Sequence, residues 1–159
     1  MLQPYVMGNP QPPGGVPAHF LAFQPASEPL AIITEAVDLV RERTAAPGVL
    51  ASCDSTFRAI RGVSFSDLLY GGVQVTVFRF HSTTDFGLTP RPAGLARSIG
   101  ISQRCWGLRD HGHAVRRSAA TLVHELAHCA GAAGGSSTVA ERTLRFCGFS
   151  DMDSPGLAG

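Results

Sequence analysis

The sequence contains no lysine, and all 13 of its basic residues are arginines, spread along the chain from Arg41 to Arg145. Without lysine there is no amine for Schiff-base catalysis and no P-loop lysine for nucleotide phosphates. The formal net charge is +1, and the arginines are not concentrated on one predicted face. Nucleic acid is therefore not expected as the main partner.

Long hydrophobic runs are also missing, since no stretch approaches the roughly 18 uninterrupted apolar residues that a membrane-spanning helix needs. We therefore expect no membrane partner. The start, MLQPYVMGNPQPPGGVP, has neither a basic region nor the apolar segment of a classical secretory signal. Export, if it occurs, is expected to use another route.

No pair of cysteines has the C-x-x-C spacing of a zinc ribbon or redox site. The four cysteines either form two disulfides or remain buried thiols. For the disulfide case the sequence favours Cys129 with Cys147, because they lie on consecutive predicted helices joined by a short turn. Cys53 with Cys105 follows by elimination.

The 159 residues, 44% of them hydrophobic, predict one compact core. Residues 1–18 hold five prolines and three glycines and are interpreted as an extended arm, followed by a single domain over 19–159. The pattern predicts an α+β fold in which a short mixed or antiparallel sheet packs on a long helix. We predict four helices: residues 28–45, a short helix that is capped by Asp54 and ends at Gly62, residues 115–130, and a last helix that begins at Ser137 or Thr138. We predict strands at 73–81 and 98–102, with a loop at 81–97 between them.

The helix predicted at 115–130 carries the motif His124-Glu125-Leu126-Ala127-His128. Residues four apart share one helix face, so both imidazoles can reach one ion. Neutral imidazole is a preferred zinc ligand, and zinc lowers the pKa of its water to about 7. Glu125 is then the predicted general base that takes a proton from this water.

A catalytic zinc site usually has three protein ligands, and this motif provides two. The extended pattern with a third histidine fails at Gly134. Glu141, at the start of the following helix, is the predicted third ligand, because a helical hairpin could bring it over the metal. A capping box from Thr138 to Glu141 is the competing interpretation. The alternative third ligands are Asp151, Asp153, His111 and His113.

Stabilisation of the oxyanion in the tetrahedral intermediate has three candidate donors, which are Tyr70, His111 and His113. The alternative for each is an ordinary exposed loop residue.

Over HELAHCAGAAGGSSTVAERTLRFCGF the sequence resembles the zincin superfamily of metallopeptidases, with the glutamate ligand of gluzincins in an abbreviated form. The resemblance implies that a strand beside the bound substrate precedes the motif helix, a place that Ser98 to Ser102 takes here. A likeness to deuterolysin-like enzymes is weaker, because their downstream G-T-x-x-x-x-Y-G signature is absent.

Small domains with this motif also resemble the metallopeptidase toxin domains that bacteria deliver through secretion systems. That resemblance implies secretion or delivery to another cell or compartment, a cognate immunity protein, and a protein or cell-wall peptide as substrate. The predicted function is thus a Zn²⁺-dependent hydrolase of peptide or other amide bonds. The alternative is a non-catalytic metal-binding interaction module.

Overall fold

The computed structural model describes residues 1–12, 15–90, 97–107, 110–133 and 138–152. The architecture is mixed α and β, as the sequence predicts, with five helices and a four-stranded mixed sheet in the described residues. The elements in chain order are β1 (Leu2–Pro4), α1 (Glu28–Thr44), α2 (Pro47–Arg61), α3 (Phe65–Tyr70), β2 (Val75–Phe80), β3 (Gly87–Leu88), β4 (Ser98–Ser102), α4 (His111–Cys129) and α5 (Thr138–Phe146), with 3-10 turns at Gln103–Cys105 and Ser150–Met152.

The sheet has the strand order β1-β2-β4-β3. Strands β1, β2 and β4 are parallel, and β3 runs antiparallel to β4, pairing Gly87 with Ile101 and Leu88 with Gly100. The prediction of a strand at 98–102 is confirmed, and the strand predicted at 73–81 is shorter. Strand β3 lies in the segment 81–97 that was predicted as a loop, because two residues are too short to show alternation.

The core lies between the sheet and the helices α1 and α4, which pack along each other. Strand residues that alternate in sequence point to this side, and the opposite face of the sheet carries a separate aromatic cluster. The core-facing strand residues are Val75, Val77, Ile99 and Ile101, and the cluster consists of Phe20, Phe78 and Phe80. The long helix of the motif is therefore held directly against the sheet.

The prediction of an extended arm at 1–18 is wrong at its start. Leu2–Pro4 forms β1 beside β2, and Leu2 is fully buried in the core. Further along, the amide of Met7 donates to the carbonyl of Phe23. A strand of three residues ending in proline gives no periodic signal, and only the neighbouring strand makes it part of a sheet.

Two helices begin earlier than predicted. Helix α2 starts at Pro47, whose fixed φ suits the first turn of a helix, and Asp54 is not its cap. The carboxylate of Asp54 instead accepts hydrogen bonds from the amide and hydroxyl of Ser66. Helix α4 starts at His111 after the cap Asp110. None of the described helices combines the length and apolar character needed to cross a membrane.

The predicted disulfide pairs are both wrong. The structure joins Cys53 to Cys147, with Cα atoms 4.7 Å apart, while Cys105 and Cys129 are free, buried thiols. The bridge links α2 to the residue after α5, because these two helices pack against each other. Cys147 is closer in sequence to Cys129 than to Cys53, but proximity along the chain did not decide the pairing.

Candidate metal centre

The motif residues lie in the last two turns of α4, which is 19 residues long. Asp110 caps this helix through a hydrogen bond from the amide of His113. His124, Glu125 and His128 are only 1%, 3% and 5% exposed. A helix face that is enclosed in this way fixes the rotamers of its polar side chains.

The two histidines point their outermost ring nitrogens at each other. Nε2 of His124 lies 3.1 Å from Nε2 of His128. Two nitrogens bound to one tetrahedral zinc ion at 2.0–2.1 Å would lie about 3.3 Å apart. The pair is therefore already spaced as two ligands of one small cation would be.

The other ring nitrogen of His128 faces a backbone oxygen. Its Nδ1 lies 3.1 Å from the carbonyl oxygen of Ala132. This carbonyl is brought back by the turn that ends α4, in which Gly131 has a φ of +108° and the amide of Ala132 bonds to the carbonyl of Ala127. With Nδ1–H donating to Ala132, Nε2 keeps the lone pair that a metal would need.

The other ring nitrogen of His124 faces a carboxylate. Its Nδ1 lies 3.3 Å from Oε1 of Glu141 on α5, within ion-pair distance but without the alignment of a hydrogen bond. Burial, and to a lesser extent the neighbouring His128, lower the pKa of His124 to about 4, so an imidazolium is disfavoured. With the proton of each ring on Nδ1, two lone pairs would converge in a buried space, and a cation at that point would satisfy both.

Glu125 completes the cluster. One of its carboxylate oxygens and one ring nitrogen from each histidine all lie within 4.8 Å of one another. Burial raises the pKa of Glu125 to about 8, with a smaller contribution from the charge of Asp85, while a hydrogen bond from Thr89 acts against the rise. The hydroxyl of Thr89 donates to Oε2 of Glu125 at 2.6 Å.

Strand β3 packs directly on this part of α4. A Cβ atom placed on Gly87 would lie 2.7 Å from Cγ and Oε1 of Glu125 and from Cγ2 of Thr121, so only glycine permits this approach. Sequence reasoning missed both Gly87 and Thr89. Their Thr/Pro/Gly-rich setting signalled a loop and carried no metal-ligating residue type.

The strand next to the site is not the one predicted. Ser98–Ser102 was expected to line the substrate cleft, but β4 is flanked by β2 on one side and by β3 on the other. Its backbone is therefore already paired. The edge of the described sheet beside Glu125 is β3.

His111 and His113 lie too far along α4 to serve as ligands or oxyanion donors. They occupy its first turn, and 11 to 13 residues of helix separate them from His124 by about 16–20 Å. Nε2 of His111 is 2.6 Å from Oε2 of Glu35. His111 and His113 are therefore neither metal ligands nor oxyanion donors, and both predictions are wrong. The remaining oxyanion candidate, Tyr70, is an exposed residue at the end of α3.

Among the described residues, none of the predicted third ligands lies beside the two Nε2 atoms. Glu141 contacts His124 from the Nδ1 side, so its role as a ligand stays a prediction. The competing capping box depends on the side chain of Thr138, which is not among those that the structure describes. Asp151 binds Arg43, with Oδ1 2.6 Å from Nη1, and Asp153 lies outside the described residues.

No family model, curated protein or solved structure gives a significant match to this chain. The function of the chain is therefore inferred from the geometry of the site.

Proposed function

We propose that this chain is a zinc-dependent hydrolase that cleaves peptide or other amide bonds. The observation that carries the proposal is the convergence of His124 Nε2 and His128 Nε2 at 3.1 Å, with the Glu125 carboxylate beside them. Two imidazoles and a nearby carboxylate suit zinc among the common divalent metals, although they also suit other transition metals. A bound zinc ion would supply a Lewis acid and an activated water.

The protein side chains have separate roles in this proposal. His124 and His128 hold the cation, the carbonyl of Ala132 keeps the His128 ring in the ligating tautomer, and the Glu141 carboxylate lies at ion-pair distance from Nδ1 of His124. Glu125 accepts a proton from the attacking water and returns it to the leaving amine. Glu141 remains the candidate for the third ligand if its carboxylate turns from Nδ1 of His124 to the ion.

Strand β3 supports a peptide as the substrate class. It is one of the two edges of the described sheet, and its Gly87 packs against Glu125. An extended peptide that adds to a sheet edge is held by main-chain hydrogen bonds. Such a peptide would run past the carboxylate that acts on its amide bond. This is the arrangement that the zincin resemblance implies, with β3 in place of β4.

One observation favours a second candidate, a metal-binding interaction module without catalysis. The three motif residues are almost completely buried, at 1–5% exposure, as in sites where a metal only stabilises the fold. The two candidates differ in whether Glu125 is needed for the biological effect while the metal remains bound.

The disulfide between Cys53 and Cys147 supports action outside a reducing cytoplasm. We therefore keep secretion or delivery to another cell as part of the proposal, with a protein or cell-wall peptide as the target and a cognate immunity protein as a partner. Growth inhibition on export to a bacterial periplasm, relieved by Glu125→Gln, would support this setting. Inhibition that survives Glu125→Gln would favour the binding module.

The direct test combines metal content with turnover. Wild type, His128→Ala and Glu125→Gln are purified without added metal and analysed for zinc, then assayed on quenched fluorescent casein and on murein peptides. We expect one zinc per chain in wild type and Glu125→Gln, loss in His128→Ala, and turnover reduced by several orders of magnitude in Glu125→Gln. Near-normal turnover in Glu125→Gln would refute the mechanism, and absence of metal from wild type after zinc addition would refute the site.

A further inference from the structure

A hydroxyl group from outside the motif helix contacts the proposed base. Thr89, directly after β3, has its Oγ1 2.6 Å from Oε2 of Glu125 and 3.1 Å from the main-chain oxygen of the same residue. One side chain thus touches both the carboxylate and the helix backbone that carries it. Such a contact restricts the carboxylate relative to α4.

The segment that presents Thr89 is itself anchored. The amide of Ser102 donates to the carbonyl of Phe86 at 2.8 Å, and the hydroxyl of Ser102 donates to the carbonyl of Asp85. The ring of Phe86 is contacted by the guanidinium groups of Arg104 and Arg117, whose Cζ atoms lie 4.2 and 4.7 Å from its centroid. These contacts fix the backbone three and four residues before Thr89.

The other oxygen of the carboxylate is restricted sterically. Oε1 of Glu125 lies where a Cβ atom on Gly87 would approach to 2.7 Å. Glycine allows the strand backbone to press against the carboxylate on this side. Thr89 donates a hydrogen bond to the second oxygen. The two carboxylate oxygens are therefore held by Gly87 and Thr89, the residues on either side of Leu88.

We propose that Thr89 is a positioning residue whose hydroxyl holds the Glu125 carboxylate in the orientation that faces the histidine pair. Its effect on turnover rests on the proposed function. Its effect on the orientation of the Glu125 carboxylate does not rest on that function, because the contact can be tested in the metal-loaded protein without a substrate.

The experiment uses two substitutions that separate the hydroxyl from side-chain shape. Thr89→Val keeps the branched shape and removes the hydroxyl, and Thr89→Ser keeps the hydroxyl. Thr84→Val is the matched control, because Thr84 lies in the same segment but is exposed and contacts Ser82. Each change is made in wild type and, for Thr89→Val, also in Glu125→Ala.

The first measurement is the visible absorption spectrum of the full chain loaded with Co²⁺, which reports the geometry around the ion. We expect Glu125→Ala to change this spectrum, Thr89→Val to change it in the same direction, and Thr89→Ser and Thr84→Val to leave it unchanged. In the Glu125→Ala background Thr89→Val should have no further effect. An equal effect in both backgrounds, or none in either, would overturn the proposal.

The second measurement is casein hydrolysis by the zinc-loaded chain. We expect Thr89→Val to lower kcat about ten- to hundredfold, the size typical of losing a supporting hydrogen bond at a metal site, with KM changed less than about twofold. Unchanged kcat in an active enzyme would overturn the proposal. If the cobalt spectra change as expected but wild type hydrolyses no casein, the positioning role of Thr89 is supported and the hydrolase function is not. If the chain does not bind Co²⁺, both proposals are overturned.

Discussion

Nδ1 of His124 lies 3.3 Å from Oε1 of Glu141, on the opposite edge of the ring from the Nε2 that faces His128. In this arrangement the carboxylate lies behind the ring of a proposed ligand, where Nδ1 of a metal-bound histidine could donate to it. Carboxylates behind ligating histidines orient the ring and raise its basicity, and their loss typically weakens metal binding without abolishing it. A third ligand, in contrast, would be needed for the coordination itself.

Glu141→Gln and Glu141→Ala should therefore retain one zinc per chain with affinity lowered about ten- to hundredfold. Competition with a chromophoric chelator measures this change. Glu28→Gln is the control, because Glu28 is an exposed residue in the first turn of α1. If Glu141→Ala loses zinc as completely as His128→Ala does, Glu141 is the third ligand that the sequence predicts.

Gly131→Ala should weaken both the fold and the metal site. Gly131 has a φ of +108° and a Cβ there would lie 2.7 Å from Cγ and Cδ of Arg61. Strain of this kind typically costs about 1–3 kcal/mol, and the displaced turn would withdraw the Ala132 carbonyl from His128. Urea unfolding and zinc titration measure the two effects.

Gly48→Ala is the matched control for this change. Gly48 lies in helix α2 with nothing within 4 Å of an added Cβ, so alanine should leave zinc affinity unchanged and stabilise the fold by about 0.5–1 kcal/mol. A similar loss of zinc affinity in both variants would contradict the role given to the Gly131 turn.

Removing the disulfide by Cys53→Ala with Cys147→Ala should lower the free energy of unfolding by about 2–4 kcal/mol. The bridge spans 94 residues, so it restricts a large part of the unfolded chain. Alkylation of the denatured, unreduced protein should label Cys105 and Cys129 only. Peptide mapping that joins Cys129 to Cys147 would contradict the structure and restore the pairing favoured by sequence.

Asp151→Asn should make the free energy of unfolding less sensitive to low pH. The hydrogen bond from Arg43 lowers the pKa of Asp151 below its ordinary value. The stabilisation is therefore present above about pH 4, the value in the unfolded chain, and is lost as the pH falls through the lower folded value. Because both side chains are partly exposed, we expect less than about 1 kcal/mol.

Urea unfolding of wild type and Asp151→Asn between about pH 7 and pH 3 checks this effect, and the difference should shrink toward low pH. Asp38→Asn is a suitable comparison, because its contact with Arg41 is longer, at 3.6 Å. Zinc content should be unchanged in Asp151→Asn. Loss of zinc in this variant would return Asp151 to the list of ligands.

The elements with strong local signals were predicted from sequence. The helices beginning near Glu28 and Thr138 and the strand Ser98–Ser102 follow from caps and apolar spacing. Strand β1 and strand β3 were missed, because two or three residues carry no periodicity of their own. Each is a strand only because a neighbouring strand bonds to it.

The cysteine pairing shows the same limit. Sequence distance favoured Cys129 with Cys147, whereas the packing of α2 on α5 brings Cys53 within bonding distance of Cys147. Which of three partners a cysteine meets is decided by how helices pack, and that is a property of the whole core.

The sequence by itself determined that His124, Glu125 and His128 share one helix and can approach one ion, because helical spacing is a local property of the backbone. The tertiary structure decided what surrounds them. It placed Glu141 behind His124, turned the Ala132 carbonyl onto His128, and brought Thr89 against Glu125. These contacts depend on a helix turn, a helix hairpin and an edge strand whose positions are set only when the chain packs around its core.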